Sequence, residues 1–503
     1  MIKNIIITTI VVWTAVVFAG AHAAKQPNIL FFAVDDMSDW IGPMGYEQAV
    51  TPNIDRLANA GVTFINGHTA GIYCAPSRAA IFSGRFASST GCYTSALYFK
   101  AHPELRPMQE VLQEGGYATF GGSKLFHHPA GHIDMRGWDE FFVRDERQKT
   151  TGWGLDSWKL DDAALIPQPF PYHSKYRLSK GNPTGKGAQW FLEWGKTPND
   201  KEHLLADTMR TAWAAKLLKQ KHDKPFFVGV GMYAPHFPNF CPAKYFDLYD
   251  RDKIVPPAYK KGDLDDLPPK VRKAKTGRGR IHKHLEEIDA VKDAIHGYLA
   301  SVSYADAMLG RLLDALSEGP NANNTIVVLW SDHGYHHGEK MDWGKHTLWE
   351  RTSNVPFIWS GPGIAHGKKI EASASLIDMF PTLVEFAGIK DGQQRDGVSL
   401  TPILRNPAKA KDRNIFLPGM KPNEYAIMNQ GWRYIHYADG TEELYNVRKD
   451  PNEWDNLASH PEHKSIKKKM AASAPEKFAL PIKGKDFKLV VEGENYRWVS
   501  KKK

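Results

Sequence analysis

Asn28-Ile29-Leu30-Phe31-Phe32-Ala33-Val34 runs without a charge into Asp35-Asp36. An apolar run of this length suits a strand buried on both faces, the habit of parallel sheets covered by helices on each side. Around it the chain alternates. Thr51-Pro52 opens a helix in N-cap and N1 chemistry, and Gly61 closes it at C′. Residues 107–114 read as a second short helix and 117–121 as a strand. Residues 203–221 have helical periodicity, and Pro225-Phe-Phe-Val-Gly-Val230 repeats the buried-strand pattern. Residues 289–317 are mostly helical, 325–330 and 355–359 are strands, and 378–387 is a capped helix. Strands separated by helices predict an α/β fold with a large, mainly parallel sheet flanked by helices.

The C-terminal part changes character. Trp432 to Tyr437 and Glu443 to Val447 flank Asp439-Gly440, the signature of a hairpin. A smaller α+β subdomain with an antiparallel sheet is expected over 391–503, after a large domain over 24–390. Residues 1–23 read as a signal peptide: Lys3, an uncharged run from Ile5 to Ala19, then Ala21-His22-Ala23 before a cleavage point. The run is shorter than the ~20 residues a span needs, so no membrane anchor is expected after cleavage. The protein is then periplasmic or secreted. Residues 140–200, rich in Trp, Pro and Gly, read as long surface loops.

Composition narrows the classes. The chain has 503 residues, 42% hydrophobic and 24% charged, which excludes disordered and collagen-like chains. Three cysteines exclude a disulfide scaffold. A net charge of +9 permits an anionic partner without identifying one. No nucleic-acid-binding module is recognisable, so nucleic acid is not expected. Lys270 to Lys283 carries seven basic residues and no acid. It reads as a solvated mobile loop, with an electrostatic guide for a polyanion as the sharper alternative.

Polar groups gather just after predicted strands, where open α/β sheets place ligands. Asp35-Asp36 suits either a helix cap or a hard divalent cation. Cys74-Ala75-Pro76-Ser77-Arg78 precedes a short helix over 79–84, which puts Cys74 near a positive helix end and Arg78 about one turn on. Ser123-Lys124-Leu125-Phe126-His127, Pro235-His236 and Ser331-Asp332-His333-Gly334 follow three further strands, and Lys345 closes the last segment.

Cys74 to Arg78 resembles the C-x-P-S-R signature of type I sulfatases. Residues 28–36 resemble that family's opening strand with its two metal-binding aspartates. Thr51 to Ala58 resembles the helix that follows, and Leu444-Tyr445 through Asp450-Pro451 to Asn456-Leu457 resembles its C-terminal signature. The Lys124 to His127 spacing resembles the iduronate-2-sulfatase-like branch. The resemblance implies an alkaline-phosphatase-like fold and conversion of Cys74 to formylglycine (3-oxoalanine) by a maturation enzyme. It implies one divalent ion, usually Ca²⁺, with Mg²⁺ and Mn²⁺ sharing the same oxygen chemistry, held by Asp35, Asp36, position 74, Asp332 and His333. Arg78, Lys124 and Lys345 are then the sulfate's cations, with Lys340 a rival to Lys345. His236 is the proton donor to the leaving alcohol. His127 is the base that frees the sulfate, with His128 its neighbour and rival. His336 or His337 would touch substrate. Cys92 and Cys241 lack this context and read as structural or free.

The function implied is hydrolysis of sulfate from a sulfated glycan: an algal polysaccharide such as ulvan, carrageenan or fucoidan, or a glycosaminoglycan. The alternatives are a phosphonate monoester or phosphodiester hydrolase with the same nucleophile, and an inactive glycan-binding homologue.

Overall fold

In the computed structural model, residues 26–127, 133–142, 192–482, 487–492 and 495–500 are described. The expected signal peptide, His128 and most of the expected 140–200 loops lie outside the described residues. The opening run forms the strand Asn28–Val34, buried along its whole length. Ile29, Phe31 and Ala33 enter the core on one face of the sheet, and Leu30, Phe32 and Val34 enter the core on the other. Each large side chain so buried contributes about 2 kcal/mol of hydrophobic stabilisation.

Eight strands form the main sheet, in the order Lys368–Ile370, Gly61–Phe64, Phe357–Ser360, Thr325–Ser331, Asn28–Val34, Phe226–Gly231, Ala118–Ser123 and Glu140–Phe142. Asn28–Val34 pairs in parallel with Thr325–Ser331, Val34 facing Ser331, and with Phe226–Gly231, Ala33 facing Gly231. That register brings Asp35, Asp332 and the chain after Gly231 out at one edge. The helices Ala206–Lys219 and Val291–Glu318 pack on one face; Cys74–Ser83, Met108–Glu114 and Met379–Phe386 pack on the other.

The mainly parallel sheet holds with one exception. Phe357–Ser360 runs antiparallel to both of its neighbours. A parallel return needs a crossover to the opposite end of the sheet. Residues 332–356 instead stay at the edge where Thr325–Ser331 ends, so the chain re-enters from there.

Three local expectations are corrected. Gly61 is not a left-handed helix stop: the helix Pro52–Asn59 ends on Ala60, and Gly61 begins the next strand. A Cβ on Gly61 would lie 2.0 Å from the Trp359 carbonyl oxygen, so close strand approach requires the glycine. Gly61→Ala should therefore cost roughly 3 kcal/mol, read as a lowered denaturation midpoint. Thr51 makes no side-chain cap. Asp306 instead accepts the Asn53 and Ile54 amides at 3.0 and 2.7 Å. The Lys270 to Lys283 stretch is a helix, Pro269–Glu287, and not a loop. Lys275, Ile281 and Leu285 give it a buried face, with Lys275 taken by Asp342 at 2.6 Å. A lysine in a core-facing position hid the amphipathic pattern.

The C-terminal expectation is met by a four-stranded antiparallel sheet, Ile415–Pro418, Tyr425–Met428, Arg433–His436 and Glu442–Tyr445. Gly440 turns its hairpin at φ 83°. The helix Lys464–Ala471 follows.

Candidate active site

The sheet edge carries the chemistry. Asp35 and Asp36 leave the Asn28–Val34 strand fully buried, and Asp36 sits in the left-handed region at φ 62°. That conformation is uncommon for a side chain and turns the chain sharply at the strand end. The Tyr298 hydroxyl holds the turn by donating to the Asp36 carbonyl at 2.9 Å. Asp332 and His333 emerge beside it. Asp332 Oδ1 accepts the His333 and Asp36 amides at 3.0 and 3.3 Å. Ser77 Oγ, one residue before Arg78, donates to the Asp332 carbonyl at 2.6 Å.

Cys74 is the first residue of the helix Cys74–Ser83, which begins five residues earlier than expected. Its thiol donates to Asp35 Oδ1 at 3.3 Å, and His333 Nε2 lies 3.2 Å from the sulfur. Lys345 Nζ is 3.3 Å from the same sulfur and 2.6 Å from Asp36 Oδ1. Arg78, one helical turn on, pairs with Asp332 at 2.8 Å and Asp35 at 3.4 Å, its guanidinium over the Trp330 ring. Lys124 pairs with Asp35 at 2.5 Å. His236 Nδ1 faces the Phe237 carbonyl, and its Nε2 lies 3.6 Å from Asp36 Oδ2. His127 lines the same cavity as Cys74, edge-on to Tyr73.

Three carboxylates thus meet three permanent cations in a buried space. Burial opposes ionisation of Asp35, yet the cations Lys124 and Arg78 hold its carboxyl well below the ordinary range. Burial pushes Asp36 up to about 7, with Lys345 opposing and Asp35 adding repulsion. Asp332 is pushed up to about 6 by burial, against the pull of Arg78. Burial and the charge of Asp35 drive the Cys74 thiol well above its ordinary value, so it is a neutral thiol and a poor nucleophile. Burial and Lys345 keep His236 and His333 neutral, which suits His333 as a ligand.

The donor set fits a metal. One ligand atom each from Asp35, Asp36, Cys74 and His333 lies within 4.8 Å of the others. Asp332 stands against the group, its Oδ2 3.4 Å from His333 Nε2. Asp36 Oδ2 is buried and accepts no hydrogen bond. Carboxylates crowded in this way select a hard divalent cation. A neutral thiol does not, whereas an oxygen at position 74 would.

Not every expected residue joins the group. Lys340 ion-pairs with Asp263 at 3.0 Å and reaches the Glu453 carbonyl, away from Cys74. His336 bonds Thr347 Oγ1 at 2.9 Å. His337 is packed among Tyr298, Trp40 and Tyr335. Neither is among the residues that line the cavity. All three cysteines are free thiols. The cavity, about 300 Å³, adds residues the sequence reading did not select: Tyr73, Leu192, Phe237, Tyr335, Trp343 and His346. Tyr73 and His346 are direct neighbours of Cys74 and Lys345, and that adjacency was the available signal.

With this geometry in hand, relatives can be compared. The sulfatase family model matches residues 27–389, and the N-sulphoglucosamine sulphohydrolase C-terminal model matches residues 338–477. A sulfatase of Formosa agariphila is 34% identical over 477 residues, covering 90% of this chain and 87% of that protein. Human iduronate 2-sulfatase is 28% identical over 353 residues, covering 66% of this chain and 59% of its own. Among solved structures, the phosphonate monoester hydrolase of Agrobacterium radiobacter superposes with a TM-score of 0.67 at 20% identity, over 89% of this chain and 94% of that one. The last likeness is one of fold. The family match over most of the chain decides membership: the protein belongs to the sulfatase family and is a sulfuric ester hydrolase.

Proposed function

We propose that the protein is exported and removes sulfate from a sulfated sugar, with position 74 acting as formylglycine after conversion by a maturation enzyme. The observation that carries the reading is the contact of one buried, neutral Cys74 with Asp35, His333 and Lys345 at a helix start. As a thiol it has no useful nucleophilicity there. As formylglycine, position 74 would supply a hydrated aldehyde oxygen to attack sulfur. Asp35, Asp36, Asp332 and His333, with position 74, would hold a divalent cation, Ca²⁺ by preference, which would polarise the sulfate. The similarity to an iduronate 2-sulfatase supports a sugar ester.

The chain's own residues then divide the work. A sulfate monoester is an anion, so an attacking oxygen must approach negative charge. Arg78, Lys124 and Lys345 neutralise it and fix its orientation for in-line attack. His236 is held at Nδ1 by Phe237, which leaves Nε2 towards the cavity to protonate the departing sugar oxygen. The arriving anion raises the affinity of His236 for that proton. His127, at the cavity wall, takes a proton from the position-74 hydroxyl as sulfate is released.

Sulfate release across defined sulfated oligosaccharides tests the reading; release from none by converted, Ca²⁺-supplied enzyme refutes it. Chelation should lower the rate at least 100-fold, with recovery on adding Ca²⁺. The same Ca²⁺, at about 100 times its dissociation constant, should raise the melting temperature by about 2 °C or more. An unchanged melting curve and rate would remove the metal from the account.

A second reading, hydrolysis of phosphonate monoesters or phosphodiesters, is favoured only by the shared fold.

A further inference from the structure

Beside the active-site cavity lies a second one of about 430 Å³, within the size range of ligand pockets. Two shared walls join them. His346 lines both. The Pro269–Glu287 helix lines both as well, through Val271, Ala274 and Lys275 in the second cavity and Ile281 in the first. These residues fall at helical spacings that share one face. His346 marks the junction. It is exposed, in the left-handed region at φ 71°, its amide bound to the Ile72 carbonyl at 3.0 Å and its ring 4.9 Å from that of Tyr73. Tyr73 directly precedes Cys74, so the second cavity begins where the reacting centre ends.

The far wall comes from the C-terminal sheet. Tyr437 is fixed there by its hydroxyl, which donates to Glu443 at 2.6 Å. Lys421 and Lys270 bring ammonium groups, Lys270 facing Asp439 at 3.0 Å, and Glu424 is the second acid. The opposite side of the same helix carries Arg272, Lys273, Arg280 and Lys283 along a groove of about 870 Å³, with Asp265 the one acid among its lining residues. The helix is therefore positive on the sides that meet solvent, and a polyanion is drawn along it.

Building on the sulfatase reading above, we infer that the second cavity is the subsite for the sugar next to the one that loses its sulfate, and that Lys421 and Lys270 take an anionic group on that neighbour. Tyr437 supplies a fixed ring wall for a sugar face. The anionic group is a sulfate or a carboxylate, and the choice of probe separates the two.

Calorimetry on the Cys74→Ala protein measures binding without turnover. The probes are a carrageenan tetrasaccharide, whose charges are all sulfates, and an ulvan tetrasaccharide, whose sulfated sugar neighbours a uronate. Galactose 4-sulfate and rhamnose 3-sulfate are the matching monosaccharides. At least one tetrasaccharide should bind at least tenfold more tightly than its monosaccharide. That ratio should fall about tenfold in Lys421→Ala, the worth of one hydrogen bond to a charged group. Glu424→Gln, which removes a competing negative charge, should raise it. Equal affinities for monosaccharides and tetrasaccharides overturn the inference, as does an advantage that survives Lys421→Ala. A Lys421-dependent advantage in a chain whose converted form releases no sulfate would keep the subsite and discard the reading of the reaction.

Discussion

Replacing Cys74 by alanine or serine abolishes turnover, on the order of 10⁴-fold or more, and leaves the fold intact. Alanine has no oxygen to offer the sulfur. Serine can accept the sulfuryl group but lacks the second hydroxyl whose deprotonation releases it, so serine should stall after a single event. The structural cost is small, because the side chain is a buried thiol whose one donated bond goes to Asp35. Substituting Arg78 would confuse the outcome. It would leave Asp332 buried without its cation, at a cost of about 3–5 kcal/mol, and leave Asp35 with Lys124 alone. Circular dichroism and melting temperature report the fold, and sulfate release reports the chemistry. The mass of the Cys74 peptide from active enzyme should be lower by about 18 Da, the difference between a thiol side chain and an aldehyde. Wild-type rates in Cys74→Ser, or activity from protein whose Cys74 peptide has its full mass, would refute the mechanism.

The second large effect is a split by leaving group. His236→Ala should lower kcat for a sugar sulfate by about 10²–10⁴-fold, the usual worth of a positioned general acid. It should lower kcat for 4-nitrophenyl sulfate much less, since that phenolate leaves without a proton. The sign of the pH dependence follows from the acid role. Burial and the nearby Lys345 push His236 well below the ordinary histidine value. The acid form is therefore lost early as pH rises, and a bound sulfate anion moves that loss back to higher pH. In the wild type, kcat on sugar sulfates should fall along an alkaline limb that His236→Ala removes. An equal loss on both substrates, with the limb retained, would make His236 a structural residue.

Much of this was legible in the chain itself, for physical reasons. Residues 28–36 announce their position because a strand buried on both faces has no alternation to obscure it, and its terminal carboxylates have no core partner but each other's counterions. Cys74, Arg78 and Asp332 lie at a helix start or just after a strand, where local sequence reports position, whereas their roles and the choice of Lys345 came from the resemblance to the sulfatase signatures. What was misread depends on distant contacts. Lys275 becomes a core-facing residue only because Asp342 waits for it. Phe357–Ser360 reverses because the preceding segment is held at the site. His337 is claimed by an aromatic cluster drawn from four segments, and no spacing reports that. Gly61 is explained by a strand some three hundred residues away. The second cavity depends on a C-terminal sheet meeting a helix that the charge pattern alone presents as a loop.

Fold leaves one choice open, since the same architecture serves a phosphonate monoester hydrolase. The direct comparison is kcat/KM for a sulfate monoester against a phosphonate monoester and a phosphodiester sharing its leaving group, on one Ca²⁺-loaded preparation of enzyme with Cys74 converted. All three esters are monoanions, so Arg78, Lys124 and Lys345 do not choose between them; the match to the sulfatase family predicts the higher value for the sulfate ester. A higher value for the phosphonate or the diester would contradict the account.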